Sequence, residues 1–181
     1  MGFVKRRKDV EGLGVKVIIV NGSGGVGKGL FVDIFKELSS KNVVKISAVD
    51  PIKNAYRALF GCEEKTEEVR KDLSDLLKWS EVRLETSYKY VDEYYNMLNT
   101  EFVNVENILF VDSREPRNID YYKKKYNGST ILIANPRIPH ITSNSSDMNV
   151  LEYHYDDYII NDKTIDEFKE KVVEYIKKYN Y

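Results

Sequence analysis

The 181-residue sequence predicts a three-layer α/β domain, a five-stranded parallel sheet with helices on both faces. Three observations lead there. Five short apolar runs read as buried strands: VKVIIV (15–20), VVKISAV (43–49), NILFV (107–111), TILIA (130–134) and DYIIN (157–161). Their apolar character is continuous rather than alternating, which suits a parallel sheet covered on both sides. Amphipathic segments at helical spacing lie between them, so strand alternates with helix. Finally, a glycine-rich loop ending in lysine joins the first strand to the first helix.

The elements follow in order. The opening basic cluster Lys5, Arg6, Arg7 and Lys8 reads as a solvated lead-in. The apolar run after it is six residues long and contains Lys16, too short for a signal core or a membrane span. Arg6 stands where a myristoylation signal carries Ser or Thr. The helix after the glycine loop places Leu30, Ile34, Phe35 and Leu38 on one side. A second helix begins at Asp50-Pro51, an N-cap followed by proline, and stops at Gly61. A third spans about 65–98 with a break near Trp79-Ser80. Two more are expected at roughly 116–126 and 164–179. Between the second and third strands lie about 58 residues, far more than the dozen a minimal crossover needs. Residues 1–181 are therefore expected to form one domain. It carries a helical acceptor-binding insertion at about 50–106 and a short polar lid at about 135–150.

Composition narrows the function. Basic residues number 28 against 29 acidic ones, which supports neither nucleic-acid nor membrane binding. The single cysteine, Cys62, cannot form an internal disulfide, and a reducing, cytoplasmic setting is expected. The tyrosine-rich tail, Tyr153 to Tyr181, is either packing or the contact of a homodimer.

The chemistry starts at Gly22-x-x-x-x-Gly27-Lys28, which follows a strand and opens a helix, the setting of a phosphate-binding loop. Glycines let backbone N–H groups turn inward around phosphate, and the helix N-terminus adds partial positive charge. Lys28 would reach the terminal phosphates. Asp112 ends the third strand at the carboxyl edge of the sheet, where ligands bind in open α/β folds and where a carboxylate can hold Mg²⁺. Arg114 and Arg117 follow it, two guanidinium groups able to clamp a transferring phosphoryl group. Asp50, Lys53 and Arg57 share a helical spacing, as do Arg70, Ser74, Asp75 and Lys78. Such cations suit a small anionic acceptor; the same pattern also describes a solvated helix face. Arg137 is the one arginine of the polar lid, NPRIPHITSNSSDMN. His140 and His154 read as surface residues.

Together these residues resemble the nucleoside monophosphate kinase group of P-loop kinases. The nearest resemblance is to phage-type deoxynucleoside monophosphate kinases, with animal-type phosphomevalonate kinase more distant. It runs over about 15–178 and rests on NGSGGVGKG, SAVDPIK, RKDLSDLLK, VDSREPRNID and SNSSDMNVLEYHYDDYIIND, in that order. The resemblance implies the P-loop NTPase fold with strand order 2-3-1-4-5. It implies ATP- and Mg²⁺-dependent phosphoryl transfer to a (deoxy)nucleoside monophosphate, a small nucleotide substrate. Gly22, Ser23, Gly24, Gly25, Val26, Gly27, Lys28, Gly29 and Leu30 would cradle ATP. Asp50, Lys53, Arg70 and Asp75 would line the acceptor side, Arg114 would clamp phosphate, and Arg137 would be a lid arginine. Asp162 would lie near the adenine.

One position departs from the pattern. Related kinases tend to carry Asp, Ser or Thr after the loop lysine, and this chain has Gly29. Magnesium would then depend on ATP oxygens, water and Asp112, which Mg²⁺ tolerates because it takes few protein ligands. Two alternatives stay open: a kinase of another small phosphorylated metabolite, and a nucleotide-binding regulator with weak or lost catalysis.

Overall fold

The computed structural model describes residues 14–61, 66–139 and 149–181. Strands β1 (Val15–Asn21), β2 (Asn42–Ser47), β3 (Asn107–Asp112), β4 (Ser129–Ala134) and β5 (Asp157–Ile160) form one sheet. Its order is β2-β3-β1-β4-β5 and every neighbouring pair is parallel. The helices are α1 (Lys28–Leu38), α2 (Asp50–Phe60), α3 (Glu67–Leu84), α4 (Thr86–Glu101), α5 (Pro116–Tyr126) and α6 (Ile165–Tyr179). A single 3₁₀ turn spans Asn149–Leu151. Strand order and helix layers agree with the expected three-layer fold.

The continuous apolar runs explain the layering. On β3, Ile108 and Phe110 face one side while Leu109 and Val111 face the other, and all four are buried. The Phe110 side packs against Phe31 and Phe35 of α1 and Tyr175 of α6. Phe110 meets Phe31 and Phe35 edge-on, with ring centroids 5.9 and 5.0 Å away. The opposite side packs against Val91 and Leu98 of α4 and Ile119 and Tyr122 of α5. Burial on both faces fixes the register, because a slip by one residue would exchange the two sets.

That register sets the level of the strand ends. Val20 pairs with Asp112, and Asp112 pairs with Ser47. The carboxyl ends of β1, β3 and β2 therefore finish side by side.

Four expectations need correction. The break in the long helical insertion falls at Glu85, not at Trp79-Ser80. Ser80 satisfies its hydroxyl within the helix by donating to the Leu77 carbonyl, 2.9 Å away, so it need not interrupt the turn. Glu85 takes a left-handed backbone, φ 53°, and the Glu81 carboxylate accepts from the Ser87 N–H of the next helix at 2.7 Å. Asp50 is not the N-cap of α2; Val49 occupies that place, and Asp50 instead accepts from the Ser47 N–H at 2.9 Å. Leu38 is exposed, because α1 buries Phe31, Val32, Ile34 and Phe35. Last, β5 is not covered on both faces: it is an edge strand, and Tyr158 and Ile160 face outward while Ile159 packs against the α1–α6 core. Among the described residues no helix is long and apolar enough to cross a membrane.

The ring of Phe110 is the common contact of α1 and β3. Phe110→Ala is expected to lower unfolding free energy by about 3–5 kcal/mol in a urea titration monitored by circular dichroism.

Candidate functional site

The loop between β1 and α1 is shaped by glycine at two points. Gly22 has φ 145°, and a Cβ there would stand 2.3 Å from the Ile133 carbonyl oxygen. Gly27 has φ 105°, and its Cβ would stand 2.6 Å from Asn161 Nδ2. Both positions exclude a side chain by backbone conformation and by space.

Side-chain amides brace the loop from either end, one buried and one half-buried. Asn21 is fully buried; its Oδ1 accepts from the Gly22 N–H at 2.7 Å and its Nδ2 donates to Tyr155 Oη at 2.7 Å. Tyr155 passes the chain on by donating to the Val150 carbonyl at 2.8 Å. Burial pushes the Tyr155 phenol far above its ordinary range, against the smaller opposing effect of Asn21, so it stays a neutral donor. At the other end Asn161 Nδ2 donates to the Val26 carbonyl at 3.1 Å. Neither asparagine is marked by a spacing rule in the sequence. Each acts across more than a hundred residues.

Lys28 is buried, and its ammonium donates to the Gly22 and Ser23 carbonyls, the latter at 3.1 Å. It thus lies inside the curve of its own loop, at the N-terminus of α1. A cavity of about 790 Å³ opens from this point along the carboxyl edge of the sheet. Gly24, Gly25, Gly27, Lys28 and Gly29 line one end of it, and Lys53, Arg70 and Ser74 line the helical insertion side. Asp112 and Arg114 line the β3 end between them.

The α2–α3 wall is held by Tyr56, whose hydroxyl donates to Asp72 Oδ2 at 2.8 Å. On α3 the residues facing the cavity are Arg70, Leu73, Ser74 and Leu77, the steps of one helical face. Asp75 and Lys78 are exposed and stand off that face. Asp50 and Arg57 are likewise outside the lining; the Asp50 carboxylate is 3.2 Å from Lys53 Nζ. Gly22, Ser23, Val26 and Leu30 shape the loop and α1 without lining the cavity.

Arg117 goes elsewhere. It lines a separate depression of about 380 Å³ between α4 and α5, beside Tyr88 and Asp120. Arg137 also lies outside the cavity lining, and its guanidinium donates to the Lys163 carbonyl at 2.8 Å. Residues 140–148 of the expected lid, with His140, lie outside the described residues, as does Cys62. His154 is exposed, and Asp162 pairs with Lys171 at 2.8 Å on the surface.

The cavity also holds residues that the sequence did not single out. Ser47, Ser87 and Ser113 line it. Ser87 is buried and donates to the Ala48 carbonyl at 2.8 Å. Asn118, in the first turn of α5, is buried and lines it too. Its Oδ1 accepts from the Tyr88 hydroxyl at 2.7 Å, which leaves the amide N–H groups for the cavity. Burial raises the Tyr88 phenol, with Arg117 acting in the opposite sense, so that hydroxyl keeps its proton. Serines and a lone asparagine carry no distinctive pattern in a sequence; β2 and β3 end at Ser47 and just before Ser113, while Ser87 and Asn118 are brought there by α4 and α5.

Among the described residues no group of three or more His, Cys, Asp or Glu side chains gathers around a point. That donor set fits Mg²⁺ bound chiefly by nucleotide oxygens and water, with Asp112 as the carboxylate at hand.

No protein-family model matches the chain, and no curated protein matches it. Solved structures do. TT1252 from Thermus thermophilus is 15% identical with a TM-score of 0.53, over 92% of this chain and 98% of that one. The Deinococcus radiodurans tunicamycin resistance protein is 13% identical with a TM-score of 0.51, over 90% and 95%. Shikimate kinase from Aquifex aeolicus is 11% identical with a TM-score of 0.48, over 91% and 98%. At these identities the likeness is one of fold alone: a five-stranded parallel sheet in the order 2-3-1-4-5 with helices around it.

Glycine is required at 22 and not at 29. Gly22→Ala is expected to lower unfolding free energy by roughly 1–2 kcal/mol or more from the backbone conformation alone. Gly29 has an ordinary backbone, and its Cβ would meet only the mobile end of Lys45. Gly29→Ala should therefore raise stability by about 0.5–1 kcal/mol, the usual gain over glycine in a helix. Chemical denaturation of the two variants side by side checks both signs.

Proposed function

We propose that this protein transfers a phosphoryl group from ATP to a small acceptor that already carries a phosphate, most simply a (deoxy)nucleoside monophosphate. The observation behind the reading is that one cavity joins two differently built ends. One end is the glycine loop with Lys28. The other carries Lys53 and Arg70 on the helical insertion. Such an arrangement suits two anionic ligands meeting at Asp112 and Arg114. A volume of about 790 Å³ is in the upper part of the range for ligand pockets.

In this reading an acceptor phosphate oxygen forms a bond to the γ-phosphorus of ATP. The bond from that phosphorus to the β,γ-bridging oxygen breaks, and ADP leaves with the electron pair. Catalysis of this kind is positioning plus charge stabilisation. Lys28 would exchange the loop carbonyls for phosphate oxygens. Arg114 would hold the transferring group, and Lys53 and Arg70 the acceptor phosphate. Magnesium, when bound, would neutralise charge on the β- and γ-oxygens. Asn118 would donate to an acceptor oxygen from an orientation set by Tyr88.

A second reading keeps the donor site and changes the acceptor. Among the described residues lining the cavity there is no aromatic ring, while four serines line it. A nucleobase is commonly gripped by stacking, whereas hydroxyls and cations suit a phosphorylated polyol. The acceptor is thus the point to test.

A coupled assay of ADP formation with ATP and Mg²⁺ is expected to show turnover with at least one ribo- or deoxyribonucleoside monophosphate. Turnover with phosphorylated sugars alone would select the second reading. No turnover with either panel would sink both. With the acceptor found, Lys28→Met should lower kcat by about 10²–10³-fold or more while the far-ultraviolet circular dichroism is unchanged. Arg70→Ala should act mainly on the acceptor KM.

A further inference from the structure

Position 29 is where a phosphate-binding loop ordinarily presents a hydroxyl to the metal, and here it presents only hydrogen. The room is used by another side chain. Lys45 lies on β2, two residues before Ser47 and on the same face of the strand, and Ser47 lines the cavity. A Cβ on Gly29 would stand 3.4 Å from Lys45 Nζ. The ammonium therefore rests against the first turn of α1, beside the residue that follows Lys28.

Its surroundings call for an anion. Lys45 is exposed, just outside the cavity lining beside Gly29, and makes no ion pair with any described residue. The start of a helix carries partial positive charge, and the Lys28 ammonium lies inside the loop just before it. A third positive group placed there is unfavourable alone. It becomes favourable once a phosphate shares the space.

We infer that Lys45 is a phosphate-binding residue of the nucleotide site, its ammonium standing in for the charge that a loop hydroxyl would otherwise help magnesium to deliver. A compact ammonium on a flexible stem acts as a point charge on phosphate oxygens without demanding a fixed fork geometry. Gly29 and Lys45 are then neighbours at one site: the residue that lacks a hydroxyl has an ammonium beside it. This inference rests on the ATP-site reading above. It adds that the protein holds ATP with unusually little help from the metal.

The test is ATP binding by calorimetry, with excess Mg²⁺ and with EDTA, which needs no knowledge of the acceptor. In EDTA, Lys45→Met and Lys45→Gln should each bind ATP about tenfold more weakly than the unaltered protein, the loss of one charge-assisted contact. Lys45→Arg should stay within about threefold, since it keeps the charge. With excess Mg²⁺ the loss in Lys45→Met should shrink. Adding Gly29→Ser to Lys45→Met should restore affinity in Mg²⁺ and not in EDTA. Equal ATP affinity of the unaltered protein, Lys45→Met and Lys45→Gln in EDTA would overturn the inference and leave the ATP site standing. No ATP binding by the unaltered protein under either condition would overturn both. Thermal unfolding of each variant identifies any loss that comes from misfolding, and Lys45→Gln then decides.

Discussion

The parallel pairing of β3 with both β1 and β2 is the constraint on which the rest depends. Because Val20, Asp112 and Ser47 pair at one level, a phosphate loop, a carboxylate and a serine reach the same edge of the sheet. The pairing is locked by apolar side chains on both faces of β3. Ile108 and Phe110 belong to one core and Leu109 and Val111 to the other. A slip of one residue would bury the wrong set and also move Asp112 off the cavity.

On that edge the loop curls around the Lys28 ammonium and is braced from outside by neutral groups. Asn21 and Asn161 meet backbone groups of the loop from opposite sides, and Tyr155 is buried behind Asn21. Neutral amides and a phenol can be buried and satisfied at modest cost, whereas buried ions would compete with the ligand for the same N–H groups. The charges are kept for the cavity. Lys28, Lys53, Arg70 and Arg114 line it from four separate elements, against Asp112 and Glu115. The excess of cations suits phosphate, and their spread along the cavity suits two phosphate-bearing ligands better than one.

Position 29 links the loop to the edge strand. Phosphate-binding loops commonly carry a hydroxyl there; this chain carries hydrogen, with the Lys45 ammonium beside it. The exchange leaves the loop backbone untouched, because its shape depends on Gly22 and Gly27 and on the two asparagines.

The sequence by itself determined the layers and the glycine loop between the first strand and the first helix. Five continuous apolar runs can be buried only between two layers of helix, and a glycine loop between strand and helix can only present N–H groups to an anion. The coverage of β5 and the break at Glu85 escaped it, because both depend on what packs alongside: α1 and α6 on one face of β5, and the Glu81 carboxylate across the helix junction. The opposite end of the cavity was legible only in part. Lys53 and Arg70 reach the cavity, while Asp75, Lys78 and Arg117 do not. Helical spacing tells which residues share a face but not which face a neighbouring element will cover. Asn21, Asn118, Tyr155 and Lys45 were decided by the tertiary structure alone. Their partners are distant in the chain, and a polar side chain acquires its role from the group it meets.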